Sequence, residues 1–502
     1  MPARVVMVQG TSSSVGKSLL VTALCRLFAR RGMRVAPFKA QNISNNAAVC
    51  ADGSEIGRSQ AVQALAAGIA PTAEMNPILL KPEGRGRSQM VLLGRAHTQV
   101  GAREYMQSQK TELWSVVTGA FERLRAAYDL VVMEGAGSPA ELNLRARDLV
   151  NMAMARYAAA PVLLVGDIER GGIFAQLLGT YWLLDPAEQA LVRGFVVNKF
   201  RGDASLFDEG VRLLEERSSV PVLGVLPFLS DLYIPEEDAA DLAIPQLPAS
   251  SSPALLDIAV LRLPHIANFD DFAPLASEMG VRVRYVSSLT TLGTPRAIII
   301  PGTKSTMHDL AWLREQGLAQ AVQRLAQAGS AVVGICGGYQ MLGRSIRDPD
   351  GLESPLPEVA GLGLLPVETL FAPEKATHQA VARILSGQGW FAAIAGETIT
   401  GYEIHLGRTP TASPWLEITR RGDSPVAVPD GAASADGTIW GCYVHGLFAN
   451  RPLRRAWLQS LGWQDISLEQ EPAPVIQHAL DRLATHTETH LDMARLESMI
   501  WA

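Results

Sequence analysis

Cysteine is scarce in this chain: Cys25, Cys50, Cys336 and Cys442 are the only four in 502 residues. That excludes a disulfide framework, and the lack of any Cys-x-x-Cys pair removes the usual zinc signature. No apolar run approaches the ~20 residues that a membrane-spanning helix needs. Basic residues are in no excess, 44 Lys and Arg against 50 Asp and Glu, for a net charge of -6. This argues against nucleic acid as the main partner. The opening Met1-Pro2-Ala3-Arg4 leads directly into a strand-like segment, so no secretory signal fits. The expected location is the cytoplasm, with neither a membrane nor a nucleic acid as partner. Repeats and low-complexity tracts are also lacking.

What is present is a 48% hydrophobic, 19% charged composition, and the chain is too long for a single core. Short apolar runs alternate with helical patterns in the first half, which predicts a parallel sheet covered by helices. Candidate strands are 4–9, 34–38, 129–133, 161–165, 194–198 and 220–226. Leu19, Leu20, Ala23, Leu24, Leu27 and Phe28 recur at helical spacing, and Gly32 stops that helix. Between Pro235 and Pro253 the composition turns to Glu, Asp, Ala, Pro and Ser, as in a linker. The α/β pattern then restarts with candidate strands at 257–261, 281–286, 297–300 and 331–335. A Pro- and Asp-rich surface loop is expected around Arg347 to Glu358, and charged helix from about Ala473. The expected fold class is α/β with two doubly wound α/β domains: 1–235, a linker at 236–253, 254–485, and a helical tail at 486–502.

Two motifs carry chemistry. Gly10-Thr11-Ser12-Ser13-Ser14-Val15-Gly16-Lys17-Ser18 lies between a strand and a helix, the setting of a phosphate-binding loop. Backbone N–H groups there converge on phosphate, Lys supplies charge and Ser ligates magnesium. Gly10 stands one residue early for the common spacing, with Thr11 in the expected glycine position. Thr11, Ser14, Val15, Gly16, Lys17 and Ser18 are the candidate ATP contacts, joined by Lys39 at the end of the second strand. Glu134 ends a buried strand where a Mg²⁺ ligand belongs, and Ser18 and Asp52 are its candidate companions. Asn198-Lys199 is a weaker candidate for contacting the base.

The second motif is Gly334-Ile335-Cys336-Gly337-Gly338-Tyr339-Gln340, a cysteine set between glycines after an apolar strand. Small neighbours permit the sharp strand-to-helix turn that exposes a nucleophile. His445, in Tyr443-Val444-His445-Gly446-Leu447, is the candidate base that generates the thiolate. The N–H of Gly337 and one from the Pro301-Gly302-Thr303 turn are placed to form an oxyanion hole. Cys25 and Cys50 lack a base motif and read as structural.

The variant loop resembles that of dethiobiotin synthetase, and the cysteine turn resembles triad-type (class I) glutamine amidotransferases. Those carry a Glu two residues after the histidine, whereas Leu447 stands there in this chain. The expectation is therefore a two-residue Cys336–His445 engine, with Glu403 or His405 as partial substitutes for the acid. The missing acid, the loop and the domain order together resemble the cobyrinate and cobyrate amidases of cobalamin biosynthesis, over roughly residues 4 to 480. Three blocks resemble the cobyrate branch: Lys39 to Asn46, Glu55 to Gln60 and Met75 to Pro82. The resemblance implies ATP- and glutamine-dependent amidation of the b, d, e and g carboxylates of adenosylcobyrinic acid a,c-diamide. One glutamine and one ATP, with Mg²⁺, would serve each round. Residues 41–46 and 75–82 would then wall a shallow corrin site. An amidase of the a and c carboxylates, or a phosphate-loop ATPase switch with a degenerate amidotransferase domain, is the alternative. A homo-oligomer is compatible with this reading.

Overall fold

The computed structural model describes residues 2–84, 86–101, 110–229, 232, 234, 256–385, 387–464 and 475–502. The expected linker at 236–253 lies outside them. In the first half, six parallel strands form a sheet in the order Val222–Pro227, Val192–Phe200, Val162–Asp167, Arg4–Gly10, Leu130–Glu134, Val35–Phe38. Its central strands are continuous apolar runs buried on both faces, as helices on either side require. The strand order reverses beside Arg4–Gly10, and a doubly wound sheet binds its ligand at the carboxyl ends of the strands at such a point.

The second half carries another sheet, in the order Val281–Val286, Leu256–Leu261, Ala297–Ile300, Ala331–Ile335, Ile439–Cys442, Ala432–Ala433. Its first five strands are parallel and the last runs antiparallel. Strands Ala331–Ile335 and Ile439–Cys442 are neighbours, which brings the segments after them side by side.

Two features depart from the parallel plan expected for both halves. The Pro- and Asp-rich stretch leads into a sheet built on the long strand Glu368–Ile384, which pairs antiparallel with Thr398–Arg408 and Leu416–Arg421. In the first half, Ile78–Gly84, Arg87–Leu92 and Arg95–Gly101 form an antiparallel meander, with Gln41–Ile43 at its edge. The C-terminal helices differ too. Helix Val475–His490, expected within the second domain and its tail, lays Ala479, Leu480, Leu483 and Ala484 into the core beneath helix Lys17–Arg30. The chain thus returns to its first domain to finish that domain's core. Burying apolar faces of this kind contributes roughly 25 cal/mol per Å².

Candidate active site

Strand Arg4–Gly10 ends in the loop 11–16, and helix Lys17–Arg30 starts at once after it. Ser14 and Gly16 take left-handed φ values of 57° and 100°, which turns the loop around a concave centre. A Cβ on Gly16 would lie 2.1 Å from Asn198 Nδ2, so glycine is required there. Lys17 Nζ folds back over the loop and donates to the carbonyls of Ser12 (2.8 Å) and Gly137 (3.1 Å). Ser18 Oγ donates to Glu134 Oε1 at 2.8 Å. Glu134 also accepts from Lys39 Nζ at 2.9 Å and from Gln63 Nε2 at 2.6 Å. Burial disfavours its charge, but Lys39 and the hydrogen bonds from Gln63 and Ser18 outweigh that and hold its carboxyl below the usual range.

These groups line a cleft of about 850 Å³ that takes in Ser14, Gly16, Lys17, Ser18, Lys39 and Glu134. A strand-to-helix loop at a helix N-terminus, with Lys17 and Lys39 beside it, has the make-up that suits a phosphorylated ligand. The Ser18 hydroxyl and the Glu134 carboxylate are hard oxygen donors of the kind Mg²⁺ takes alongside phosphate. Thr11 and Val15 belong to the loop but are not among the cleft's described lining. The Thr11 N–H bonds Val165 O at 2.9 Å, and Val15 is fully buried.

Two expectations for this half are corrected. Asp52 does not join Ser18 and Glu134: it is exposed, and its Oδ1 accepts from Ser54 N (2.9 Å) in a tight turn. Asn198 and Lys199, the weaker candidates for contacting the base, brace the loop by donating to the carbonyls of Val15 (2.8 Å) and Ser14 (2.7 Å), and Lys199 also lines the cleft. Of the two proposed corrin walls, Gln41, Asn42 and Ile43 do line the cleft. Residues 75–82 are not among its described lining. Met75 and Ile78 to Leu80 are buried beneath it, and Lys81 lines the other pocket described below.

In the second half Cys336 sits between strand Ala331–Ile335 and helix Gly337–Leu342 with φ 53° and ψ -110°. A non-glycine residue in that region is strained by roughly 1–3 kcal/mol. The strain is held by close packing: a Cβ on Gly338 would approach Ile300 O to 1.9 Å. His445 follows the adjacent strand, is buried, and lines the same pocket as Cys336, whose Sγ stands 3.6 Å from Ile404 O. Gly302 and Gly337 line the same narrow pocket of about 60 Å³. A Cβ on Gly302 would lie 2.9 Å from His445 Cε1, so the backbone of that turn approaches the reacting pair closely.

The expected two-residue engine is corrected. Asp271 Oδ2 lies 2.6 Å from His445 Nδ1, and Asp271 Oδ1 accepts from Gly446 N at 3.0 Å. The orienting acid is therefore present, supplied from the turn Phe269–Phe272, 174 residues before the histidine. Burial opposes the charge on His445, but Asp271 and Cys336 outweigh it and raise its pKa to about 10. An imidazolium beside a thiol favours the thiolate. Glu403 does not serve His445. It pairs with Arg421 (2.8 Å) and with His405 Nε2 (3.2 Å). His405 lines the pocket, but its Nε2 donates to Glu403. The sequence does hold a signal for Asp271, an acid pair framed by phenylalanines in Phe269-Asp270-Asp271-Phe272, but nothing in it points to His445.

Cys25 and Cys50 are buried, and burial pushes the Cys50 thiol up to about 11 and Cys25 higher still. Protonated thiols of this kind are inert. No helix among the described residues is long and apolar enough to cross a membrane.

A phosphate-loop cleft and a cysteine–histidine–aspartate pocket in one chain define the class: a nucleotide-binding domain fused to a glutamine amidotransferase domain. Residues 6–240 match the CobQ/CobB/MinD/ParA nucleotide binding domain. Residues 257–453 match the CobB/CobQ-like glutamine amidotransferase domain. Over the full length of both chains, this sequence is 54% identical to a cobyric acid synthase from Chloroflexus aurantiacus. It is 55% identical to one from Chloroflexus aggregans, over 98% of this chain and 99% of the relative. With a third, from Herpetosiphon aurantiacus, it shares 52% over 100% of this chain and 99% of the relative. The chain belongs to the cobyric acid synthase family, amide-forming ligases of cobalamin biosynthesis.

Proposed function

We propose that this chain amidates the b, d, e and g carboxylates of adenosylcobyrinic acid a,c-diamide in the cytoplasm, with one glutamine and one ATP per amide. The observation that carries the reading is the coexistence of Lys17, Lys39 and Glu134 around one cleft with Cys336, His445 and Asp271 around another. A carboxylate is a poor electrophile, so it must first be converted to an acyl phosphate. Lys17 and Lys39 would bind the transferred phosphoryl group's charge, and the loop would orient the nucleotide. Mg²⁺, held by Ser18 and Glu134, would supply further charge neutralisation. Gln41, Asn42 and Ile43 on the cleft wall offer amide donors and an apolar face to a corrin ring.

At the other pocket, the Cys336 thiolate attacks the side-chain amide of glutamine. The N–H groups of Gly337 and the Gly302 turn would stabilise the oxyanion, and His445 protonates the departing ammonia. Water then cleaves the thioester through the same histidine. Ammonia is mostly protonated in neutral water, which favours delivery inside the protein.

Mass spectrometry of the corrin after incubation with ATP and glutamine tests the whole reading. Four successive exchanges of a carboxyl –OH for –NH2, each lowering the corrin's mass by about one dalton, are expected. Lys17→Ala should abolish them while glutaminase activity persists. Cys336→Ala should lose glutamine-driven product but form it from ammonium salt at alkaline pH. A Cys336 variant that still used glutamine would place the nucleophile elsewhere.

A further inference from the structure

The orienting aspartate is itself held from the other half of the chain. Arg58, at the start of helix Arg58–Ala66 in the nucleotide half, places Nε 3.1 Å from Asp270 Oδ2, the residue beside Asp271. Its Nη2 donates to the hydroxyl of Tyr402, and its guanidinium carbon stands 5.3 Å from that ring's centroid. Tyr402 is bound to His445 in two further ways. Their backbones exchange hydrogen bonds, Tyr402 N to His445 O at 3.2 Å and His445 N to Tyr402 O at 2.8 Å. Their rings stack with centroids 5.2 Å apart and 14° between planes.

Hydrogen-bond polarity gives this arrangement a direction. Arginine can only donate, so the Tyr402 oxygen accepts from it and the single phenolic proton must point elsewhere. The carboxylate within reach is Asp271 Oδ1 at 3.5 Å. Asp271 in turn holds His445 Nδ1. The backbone of Arg58 is fixed: its N–H bonds Asn46 O at 3.1 Å, and Gly57 N bonds Asn76 Oδ1 at 3.0 Å. Nothing on the amidotransferase side replaces the guanidinium, since Arg58 is the cation that faces Asp270, Asp271 and Tyr402 among the described ion pairs. Two further contacts reach this cluster from the first half: the Asn46 side chain hydrogen-bonds Asp270, and Ala47 N donates to Asn268 Oδ1 at 3.1 Å.

We propose that Arg58 is a positioning residue for glutamine hydrolysis: through Tyr402 and Asp270 it orients Asp271 and so His445, which makes the glutaminase complete only when the nucleotide half is docked. The inference rests on the reading of Cys336 and His445 as the glutaminase pair. Arg58 touches no reacting atom, so its effect falls on turnover and not on glutamine capture.

The test compares full-length Arg58→Ala, Arg58→Lys, Tyr402→Phe and the double variant Arg58→Ala/Tyr402→Phe. Glutamine-driven and ammonium-driven amidation are measured on the same preparations. Arg58→Ala and Tyr402→Phe are expected to lower the glutamine-driven kcat at least tenfold, with KM for glutamine within about twofold. Ammonium-driven amidation stays within about threefold, which also reports that each variant is folded. Arg58→Lys, which keeps the charge but loses the fork, falls between. Because both residues act through one relay, the double variant should be no worse than Arg58→Ala. Wild-type kcat in Tyr402→Phe, equal losses with ammonium and glutamine, or losses that multiply in the double variant would each overturn the proposal. A Cys336→Ala enzyme that still used glutamine would instead overturn the glutaminase reading beneath it.

Discussion

The carboxylate beside a catalytic histidine fixes its tautomer and stabilises its cation, and Asp271 does both for His445 through one contact of 2.6 Å. Asp271→Asn keeps the shape of that contact and removes its charge. Glutamine-driven turnover should fall by about 10²–10⁴, while amidation driven by ammonium salt persists. The same pair sets a pH dependence. His445 is raised from about 6.5 to about 10 in the folded protein. A raised pKa contributes stability that is complete below pH 6.5 and lost as pH climbs through 10. Urea midpoints measured from pH 6.5 to 10 should therefore fall less in Asp271→Asn than in the unaltered protein. Parallel curves for the two proteins would show that the contact does not stabilise the charged ring.

Among elements, the turn that carries Cys336 depends on glycine more than any other segment. Gly334 and Gly338 face each other across it, and a Cβ on Gly334 would come within 2.7 Å of the Gly338 carbonyl. Backbone on both sides leaves no flexible group to give way. Gly338→Ala should lower stability by about 1–3 kcal/mol or more, read as a shift of the denaturant midpoint, and glutaminase activity should fall with it. The phosphate loop shows the same dependence on a glycine backed by another strand's side chain. Gly16 meets Asn198, which itself holds the Val15 carbonyl. Both motifs were legible in the residues because a strained turn between strand and helix demands small neighbours. The helix after Gly16 and its stop near Gly32 followed from apolar spacing alone. The antiparallel sheet around Glu368–Ile384 did not, because the burial along that strand alternates irregularly and hides the period-two pattern of a half-buried strand.

At the scale of the molecule, the chain's end serves its beginning. Leu480 is fully buried, in a helix that packs on helix Lys17–Arg30 directly behind the phosphate loop. Leu480→Ala should cost about 2–5 kcal/mol and destabilise the nucleotide half, although it lies in the last thirty residues. Nucleotide affinity and the unfolding of the first domain, followed separately from glutaminase activity, check this. Equal loss in both halves would mean that the helix supports the molecule as a whole. The two halves also share buried charge. Glu55 from the first pairs with Lys81 of the first and Lys375 of the second. Lys81, from the nucleotide half, lines the pocket beside Cys336.

The parallel strands of the two doubly wound sheets and the positions of Lys17, Ser18, Glu134, Cys336 and His445 at strand ends were determined by local sequence. Periodicity and turn chemistry act within a dozen residues, and those side chains sit where strands end. Asp271, Gln63 and Arg58 were decided by tertiary structure alone. Each reaches its partner across tens to hundreds of residues, and no local rule records which loop a sheet will set against which. The errors over Asp52 and the 75–82 segment have the same cause: a polar residue near a motif in sequence need not face it once the intervening chain has folded. An acid between two phenylalanines is chemically conspicuous, but only the packing of the Phe269–Phe272 turn against the Tyr443–Leu447 segment turns it into the third member of a catalytic set.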